Sequence, residues 1–292
     1  MTVIATHTSP DWDNIGAFWL LDRYFFGSAA EPVFVNTGKP DPDTLARATA
    51  VVDTGRVHDP LRLRFDHHQD GALPCATALV AQFLTDHGKF PSYLSPLIEL
   101  IHAGDTAGEL ARQSAQVGIH ALLGAYKRQA GRTDVDVLAW GCEQLDLLAA
   151  SLQHRAEAKA KLEACMIYRS ADNQVVGIVG GDAGVTYAAH EVYGSRLAVF
   201  ANEQTLPSGS VTYAVGVSRL GGAEVTEPNV GDLVRHVLET TQDEAMKAEL
   251  STWFRHPAGF FAGRGTATAP STEPLVVQPL NLCAAIDAAW KR

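Results

Sequence analysis

The sequence predicts an α/β protein: a mostly parallel sheet in the N-terminal part, then a smaller α/β unit at the C-terminal end. Three observations predict it. Short β-prone runs alternate with helical patterns through the first third of the chain, which is the mark of βα units. Asp and His residues collect at the ends of those runs, where the carboxyl edge of a parallel sheet gathers its ligands. After Arg169 the pattern resets and a second series of strands and helices begins.

The elements follow in order. Thr2 to Thr6 is a β-prone run ending at His7. Asn14 to Phe26 places Ile15, Phe18, Leu21 and Phe25 at steps of three or four, so a helix follows. Pro32 to Val35, Ala50 to Asp53 and Leu63 to Phe65 are further short strands, the third strand ended by Thr54-Gly55 and the fourth by Asp66-His67-His68. Helical patterns cover Ala76 to Asp86, Leu94 to Ala103 and Leu110 to Gln129, and another runs from Val135 to Cys165. Gln153 to Glu163 is rich in Ala, Lys and Glu, which suits a solvated helix between two domains. Beyond it, Val175 to Val179, Leu197 to Ala201, Val211 to Val217 and Leu275 to Gln278 read as strands. Val185 to Val192 and Asp232 to Glu239 read as helices, the latter after the turn-like Glu227-Pro228-Asn229; Gly259 to Gly265 reads as a glycine-rich loop, and a helix closes the chain. The resulting division is an N-terminal domain over 1–140, a helical linker over 141–170 and a C-terminal domain over 171–292.

Composition narrows the function classes. A chain of 292 residues with 46% hydrophobic and 19% charged content has the make-up of a globular protein and room for two domains. Its apolar runs fall short of the roughly 18 residues that a membrane span needs, and Met1 to His7 lacks the basic and apolar regions of a secretory signal. The cytoplasm is the expected location. Cys75, Cys142, Cys165 and Cys283 lie far apart with no CxxC pair, so neither a zinc finger nor a disulfide framework is expected. Cys75, Cys142 and Cys283, in apolar surroundings, read as buried free thiols. A net charge of -10 argues against coating long nucleic acid, though not against a small phosphorylated substrate.

The polar residues form a constellation. His7, Asp11 and Asp13 follow strand one, Asp53 closes strand three, Asp66, His67 and His68 close strand four, and Asp105 follows a separate helical run in His102-Ala103-Gly104-Asp105. Singly, each has a structural alternative. Asp13 suits a helix cap, Asp53 a turn before Thr54-Gly55, His102 a packed histidine and the His67-His68 pair a surface loop. Their coincidence at strand and helix ends is what points to a metal centre. Two divalent ions about 3.5–4 Å apart need several carboxylates and imidazoles, with one carboxylate shared; Asp53, alone at its strand end, is the candidate for that bridge. Asp and His without thiolate favour Mn²⁺ or a similar ion, with Mg²⁺ or Co²⁺ as substitutes.

His7-Thr-Ser-Pro-Asp11-Trp-Asp13-Asn-Ile-Gly16 resembles motif I of the DHH phosphoesterase superfamily, H-x3-D-x-D-x-x-G. Val51-Val52-Asp53, Asp66-His67-His68 and His102-Ala-Gly-Asp105 resemble its motifs II, III and IV, in order. Asp59-Pro60 and Phe65-Asp66-His67-His68-Gln69 are also similar to related metal-dependent hydrolases. The resemblance implies that His7, Asp11 and Asp53 hold one metal, while Asp13, Asp53, His67 and Asp105 hold the second. It implies that His68 contacts the phosphoryl group and that Asp66 orients the histidine pair, so that His68, Asp53 and Asp66 carry the catalysis. Trp12 departs from the pattern, since a small residue commonly stands there; it would narrow the site or serve as a base-stacking wall.

In the second half the resemblance is thinner. Ser218-Arg219 resembles a substrate-binding S-x-R element without its middle residue, and a bidentate pair between Arg219 and phosphate would follow. His256-Pro-Ala-Gly259-Phe-Phe-Ala-Gly263-Arg264-Gly265 resembles a glycine-rich GGGH-x-x-A-G loop at altered spacing, so His256, Gly259, Gly263 and Arg264 join His68, Ser218 and Arg219 as candidate substrate residues.

The expected function is a metal-dependent phosphodiesterase or exonuclease that cuts short oligonucleotides or small, including cyclic, dinucleotides to mononucleotides. Its partner is that short nucleic acid or nucleotide; no membrane is expected, and the apolar N-terminal helices leave room for a homodimer. Hydrolysis of pyrophosphate or polyphosphate is the second reading, and a nucleotide-binding regulator without turnover the third.

Overall fold

A computed structural model of the chain describes residues 1–36, 38–106, 118–220, 229–242, 244–248, 252–266, 270, 271, 275 and 278–291. The chain divides into two compact units, Met1–Gln153 and His154–Arg292. The fold is mixed α/β, as expected.

The first unit is built on a five-stranded sheet. Its strands are β1 (Thr2–His7), β2 (Ala30–Val35), β3 (Ala50–Val52), β4 (His58–Asp59) and β5 (Arg64–Phe65), in the spatial order β2-β1-β3-β5-β4. The first four in that order run parallel and β4 pairs antiparallel to β5. Ile4, Ala50, Val52 and Phe65 are fully buried in the core of this unit. The helices α1 (Trp12–Leu20), α2 (Pro42–Arg47), α3 (Ala76–Asp86), α4 (Ser95–Thr106) and α5 (Ile119–Lys127) complete it, with the first part of α6 (Asp134–Cys165). Helix α1 passes into a π-helical turn at Leu21–Phe25.

Neighbouring strands lie roughly 4.8 Å apart, so the carboxyl ends of the adjacent β1, β3 and β5 open side by side. Two local features then place the helices nearest those ends. The Asp11 carboxylate caps α1 by accepting from the backbone N–H of Asp13 and Asn14, both at 3.1 Å. Gly16 lets α1 approach α3, because a Cβ there would stand 2.6 Å from Thr77 Oγ1.

The second unit has a six-stranded sheet: β6 (Met166–Arg169), β7 (Val175–Val179), β8 (Leu197–Thr205), β9 (Val211–Arg219), β10 (Phe254–Arg255) and β11 (Phe261–Arg264), ordered β10-β11-β9-β8-β7-β6. Only β7 and β8 pair parallel within it, so this sheet is chiefly antiparallel. Helices α7 (Ala183–Tyr193), α8 (Val230–Thr240), α9 (Glu244–Ala248) and α10 (Pro279–Trp290) accompany it.

Several expectations need correction. Asp105 lies inside α4 rather than after it, because that helix extends to Thr106. Ser218 and Arg219 end β9 rather than follow it. The expected glycine-rich loop at Gly259–Gly265 contains β11, paired antiparallel to β9, and only its start is a turn. The helix foreseen at Gln153 to Glu163 does form, but Ala158 and Leu162 are buried against β7 and α7 residues, so a stripe of it is core. The sequence pattern does not mark strands β4, β6 and β10 or helices α2 and α9. Residues 107–117, 227–228 and 276–277 of the expected elements lie outside the described residues.

Candidate metal centre

Three loops and one helix end supply the polar side chains. His7 is the last residue of β1, Asp11 and Asp13 bracket the start of α1, Asp53 follows β3, and Asp66, His67 and His68 follow β5. Asp105 comes from the last turn of α4. All are brought together. His7 Nε2 lies 3.0 Å from Asp53 Oδ2 and 3.8 Å from Asp11 Oδ2. His67 Nε2 stands 3.6 Å from Asp13 Oδ2, 3.5 Å from Asp53 Oδ1 and 3.6 Å from Asp105 Oδ2. His68 Nδ1 is 3.6 Å from Asp53 Oδ1. Asp53 therefore touches both histidine groups, one through each carboxylate oxygen.

The backbone is shaped for this. Asp53 adopts a left-handed φ of 51°, followed by Gly55 at 90° and Arg56 at 56°; Asp tolerates that region better than most residues. The curl delivers Arg56 N–H to Asp66 Oδ2 at 2.6 Å. Asp66 Oδ1 accepts from His68 N at 3.0 Å and from His68 Nδ1 at 2.8 Å. Buried at 1% exposure, Asp66 faces its neighbours' donors and fixes the ring of His68. His68 itself is half-exposed.

Asp13 has two ties. Its Oδ2 and Oδ1 accept from the backbone N–H groups of Ala76 and Thr77, at 2.8 and 2.7 Å, so it caps α3 rather than its own helix. The sequence alternative, Asp13 as cap of the helix that follows it, does not hold, since Asp11 caps that helix; the cap that Asp13 does make joins residues far apart in the chain and leaves Oδ2 still facing His67.

The electrostatics report a surplus of negative charge. Burial works against a charged His7, yet hydrogen bonds to Asp53 and the Thr8 carbonyl and the charge of Asp11 raise its pKa to about 9. His67 rises to about 9 through the nearby Asp53 carboxylate, against burial and with Asp13 and Asp105 adding to the shift. Burial and the neighbouring Asp53 push Asp13 up to about 7. Asp105 is raised by burial, with Asp53 and Asp11 adding to the shift. Burial would also raise Asp53, but the His67 imidazole beside it and the hydrogen bond from His7 hold it below the ordinary carboxylate value. The cluster thus holds protons where cations would balance it.

The donor set fits divalent ions. Asp53 Oδ1 is buried without a hydrogen-bond partner, a costly state that a cation would relieve. His7 Nδ1–H donates to the Thr8 carbonyl at 2.7 Å, which fixes the ring and turns Nε2 toward the carboxylates, as metal-binding imidazoles require. Two ligand groups stand out, His7-Asp11-Asp53 and Asp53-His67-His68, with Asp53 in both; a third, Asp13-Cys75-Asp105, adjoins them.

Sequence reasoning missed Cys75, which reads as an ordinary buried thiol because nothing local marks its neighbours. It also missed the far wall of the site. A cavity of about 310 Å³ is bounded by Asp11, Asp13 and Asp105 and, across from them on α5, by His120 and Lys127. Lys127 Nζ donates to the carbonyls of Ser9 and Pro10, at 3.2 and 3.1 Å, and so steadies the turn ahead of Asp11. Trp12, also on that wall, is buried and lies 6.1 Å from the Trp140 ring.

The remaining candidates belong to the second unit. Ser218 and Arg219 line a cavity of about 430 Å³ with Gly181, Tyr187, Phe200 and Phe261. His256, Gly259, Gly263 and Arg264 are not among its described walls. His256 Nδ1 accepts from Ala258 N–H at 3.1 Å, and its ring lies tilted at 40° to that of Phe260, the centroids 4.1 Å apart. Gly259, at φ 75°, abuts Asn229, where a Cβ would come within 2.4 Å of the side chain. Gly263 lies on β11, and Arg264 beside it is only 1% exposed, its Nε donating to Thr252 Oγ1 at 2.9 Å.

No protein-family model matches the chain, and no curated protein is significantly similar to it. Solved structures similar to it include RecJ from Thermus thermophilus in complex with Mn²⁺, at 14% identity and a TM-score of 0.31, covering 99% of this chain and 52% of that one. An uncharacterized protein from Helicobacter pylori aligns at 12% identity and a TM-score of 0.27, over 100% of this chain and 99% of that one. Exonuclease RecJ bound to manganese aligns at 14% identity and a TM-score of 0.28, over 99% and 90%. The chain spans about half the length of the first of these.

Proposed function

We propose that this chain is a divalent-metal-dependent phosphoesterase of the DHH type that hydrolyses phosphodiesters in short oligonucleotides or small dinucleotides. One observation carries the reading: His7, Asp11, Asp13, Asp53, His67, His68 and Asp105 converge at the carboxyl edge of one sheet, linked through contacts of 3.0 to 3.8 Å. In this reading His7 and Asp11 hold one ion, Asp13, His67 and Asp105 the other, and Asp53 is shared. Bound Mn²⁺, or Mg²⁺ or Co²⁺ in its place, supplies Lewis acidity, an activated water and compensation for phosphoryl charge. The protein's own part is placement. Asp66 holds His68 at the rim, where its half-exposed ring meets a phosphoryl oxygen, and the Nδ1–H bond of His7 to Thr8 keeps that ligand turned inward.

The choice of diester over pyrophosphate rests on the second unit. Its larger cavity offers the rings of Tyr187, Phe200 and Phe261 beside Ser218 and Arg219, walls that suit a base and a phosphate better than a bare phosphate chain. Incubating the purified chain with Mn²⁺ and a panel of pyrophosphate, polyphosphate, a linear dinucleotide, a cyclic dinucleotide and a short single strand tests this. Mononucleotides are the expected product. Orthophosphate from pyrophosphate alone would overturn the diester assignment, and no product with any metal would favour a regulator that binds nucleotides without turnover.

A further inference from the structure

Among the four cysteines, Cys75 alone joins a group of potential metal ligands among the described residues. It directly precedes α3 and is fully buried. Its Sγ and one oxygen each of Asp13 and Asp105 all lie within 4.8 Å of one another. Cys75 shares the first unit's core with Cys142, and Cys283 lies in a core of the second, but neither of those two joins a ligand group. An independent sign of a missing cation stands next to this group. His67 Nε2, 3.6 Å from both Asp13 Oδ2 and Asp105 Oδ2, is also 3.5 Å from Asp53 Oδ1, the buried oxygen without a hydrogen-bond partner.

We propose that Cys75 is a sulfur donor of the metal centre, giving its Asp13–Asp105 side a preference for thiophilic divalent ions. The inference rests on the divalent-metal reading above and adds a ligand to it. Thiolate sulfur selects Zn²⁺, Cd²⁺ and Co²⁺ over Mn²⁺ and Mg²⁺, whereas carboxylate and imidazole alone discriminate less. The His7–Asp11 side has no such donor among its grouped ligands, so the two positions differ in softness and a mixed pair of ions follows. Binding converts the Cys75 S–H into a metal–sulfur bond, with the proton released to solvent and no change of oxidation state.

The test uses the whole chain, reduced and stripped of metal, titrated with Co²⁺. Wild type and Cys142→Ala should develop the near-ultraviolet thiolate-to-cobalt charge-transfer band together with the visible cobalt bands. Cys75→Ser and Cys75→Ala should keep the visible bands and lose the ultraviolet one. Cd²⁺ affinity of these variants should fall about 10-fold or more, on the scale of lost ligand-shell interactions, with Mn²⁺ affinity much less affected. Visible bands without the sulfur band in wild type would overturn the proposal and leave the metal centre standing. Equal losses for Cd²⁺ and Mn²⁺ would mark Cys75 as a packing residue. Should the variants fail to fold, cadmium NMR of wild type decides alone: a resonance in the range of oxygen and nitrogen ligation overturns the sulfur donor. No bound ion of any kind would overturn both readings.

Discussion

At the scale of residues, the centre separates groups that face a cation from groups that hold those groups in place. Asp53 is the junction, since its two oxygens address His7 on one side and His67 and His68 on the other. Asp53→Ala should lower turnover at least about 10³-fold, as loss of several kcal/mol of charge stabilisation implies, while circular dichroism stays that of the native fold. Substantial turnover in that variant would remove the bridge. Asp66 acts at one remove, through His68 and Arg56 N–H. Asp66→Asn should cost roughly 10- to 100-fold in kcat with metal content unchanged; loss of bound metal instead would make Asp66 a ligand. The candidate ligands from His7 to His68 stood out in the sequence because they follow β-prone runs, whereas Asp105 follows a helical one. The role of Asp13 as cap of α3, and the closeness of Cys75, were not, because both depend on contacts between segments some 60 residues apart in sequence.

At the scale of elements, the spacing of α1 and α3 decides whether Asp13 reaches both its helix cap and His67. Gly16 sets that spacing. Gly16→Ala brings a methyl to 2.6 Å from Thr77 Oγ1, and Thr77 is held there by donating to the Asp13 carbonyl at 2.7 Å. The expected cost is about 1–3 kcal/mol of stability, the usual range for overpacking, measured by chemical denaturation, with turnover reduced as well. Unchanged stability would mean the two helices can part freely. Helix α3, with a clear apolar period, was readable to the residue, and α7 and α8 to within a turn. Strands β4 and β6 were not: β4 has two residues and follows its partner's register rather than any pattern of its own, and β6, though it holds Ile167 and Tyr168, is four residues long and follows directly on the end of α6. The glycines around β11 masked a strand whose register is imposed by β9.

At the scale of the whole molecule, charge governs stability. His7 and His67 have folded pKa values raised to about 9 from 6.5, and Asp13 is raised to about 7 from 3.8. In each case the folded state binds its proton more tightly than the unfolded state. The stability they contribute is complete below the unfolded value and lost as pH climbs through the folded one. Without metal, melting temperature should therefore decline between pH 6 and about 9. Divalent ions replace the protons, so Mn²⁺ should raise the melting temperature more at pH 8.5 than at pH 6, and calorimetry in buffers of different ionisation enthalpy should show protons released on binding. A metal effect independent of pH would contradict this account. Each unit also has its own core, with Leu145 in the first and Leu162 in the second on the same helix α6. Residues 1–153 alone should unfold cooperatively in denaturant; a broad, non-cooperative transition would show that the first unit needs the rest of the chain. The reset after Arg169 marked a second series of strands and helices, whereas the mixed direction of the second sheet was hidden, since strand polarity leaves little trace in composition.

The two caps bear on how such a chain would age. Asp11 starts one helix and Asp13 starts another, so both are fastened by folding whether or not any ion is ever bound. In a descendant that had given up chemistry these aspartates would persist as anchors, while His67 and His68, with no helix to hold, would be free to drift. The imidazoles are thus the better witnesses to a working catalyst, and their presence here counts for more than that of the acids beside them.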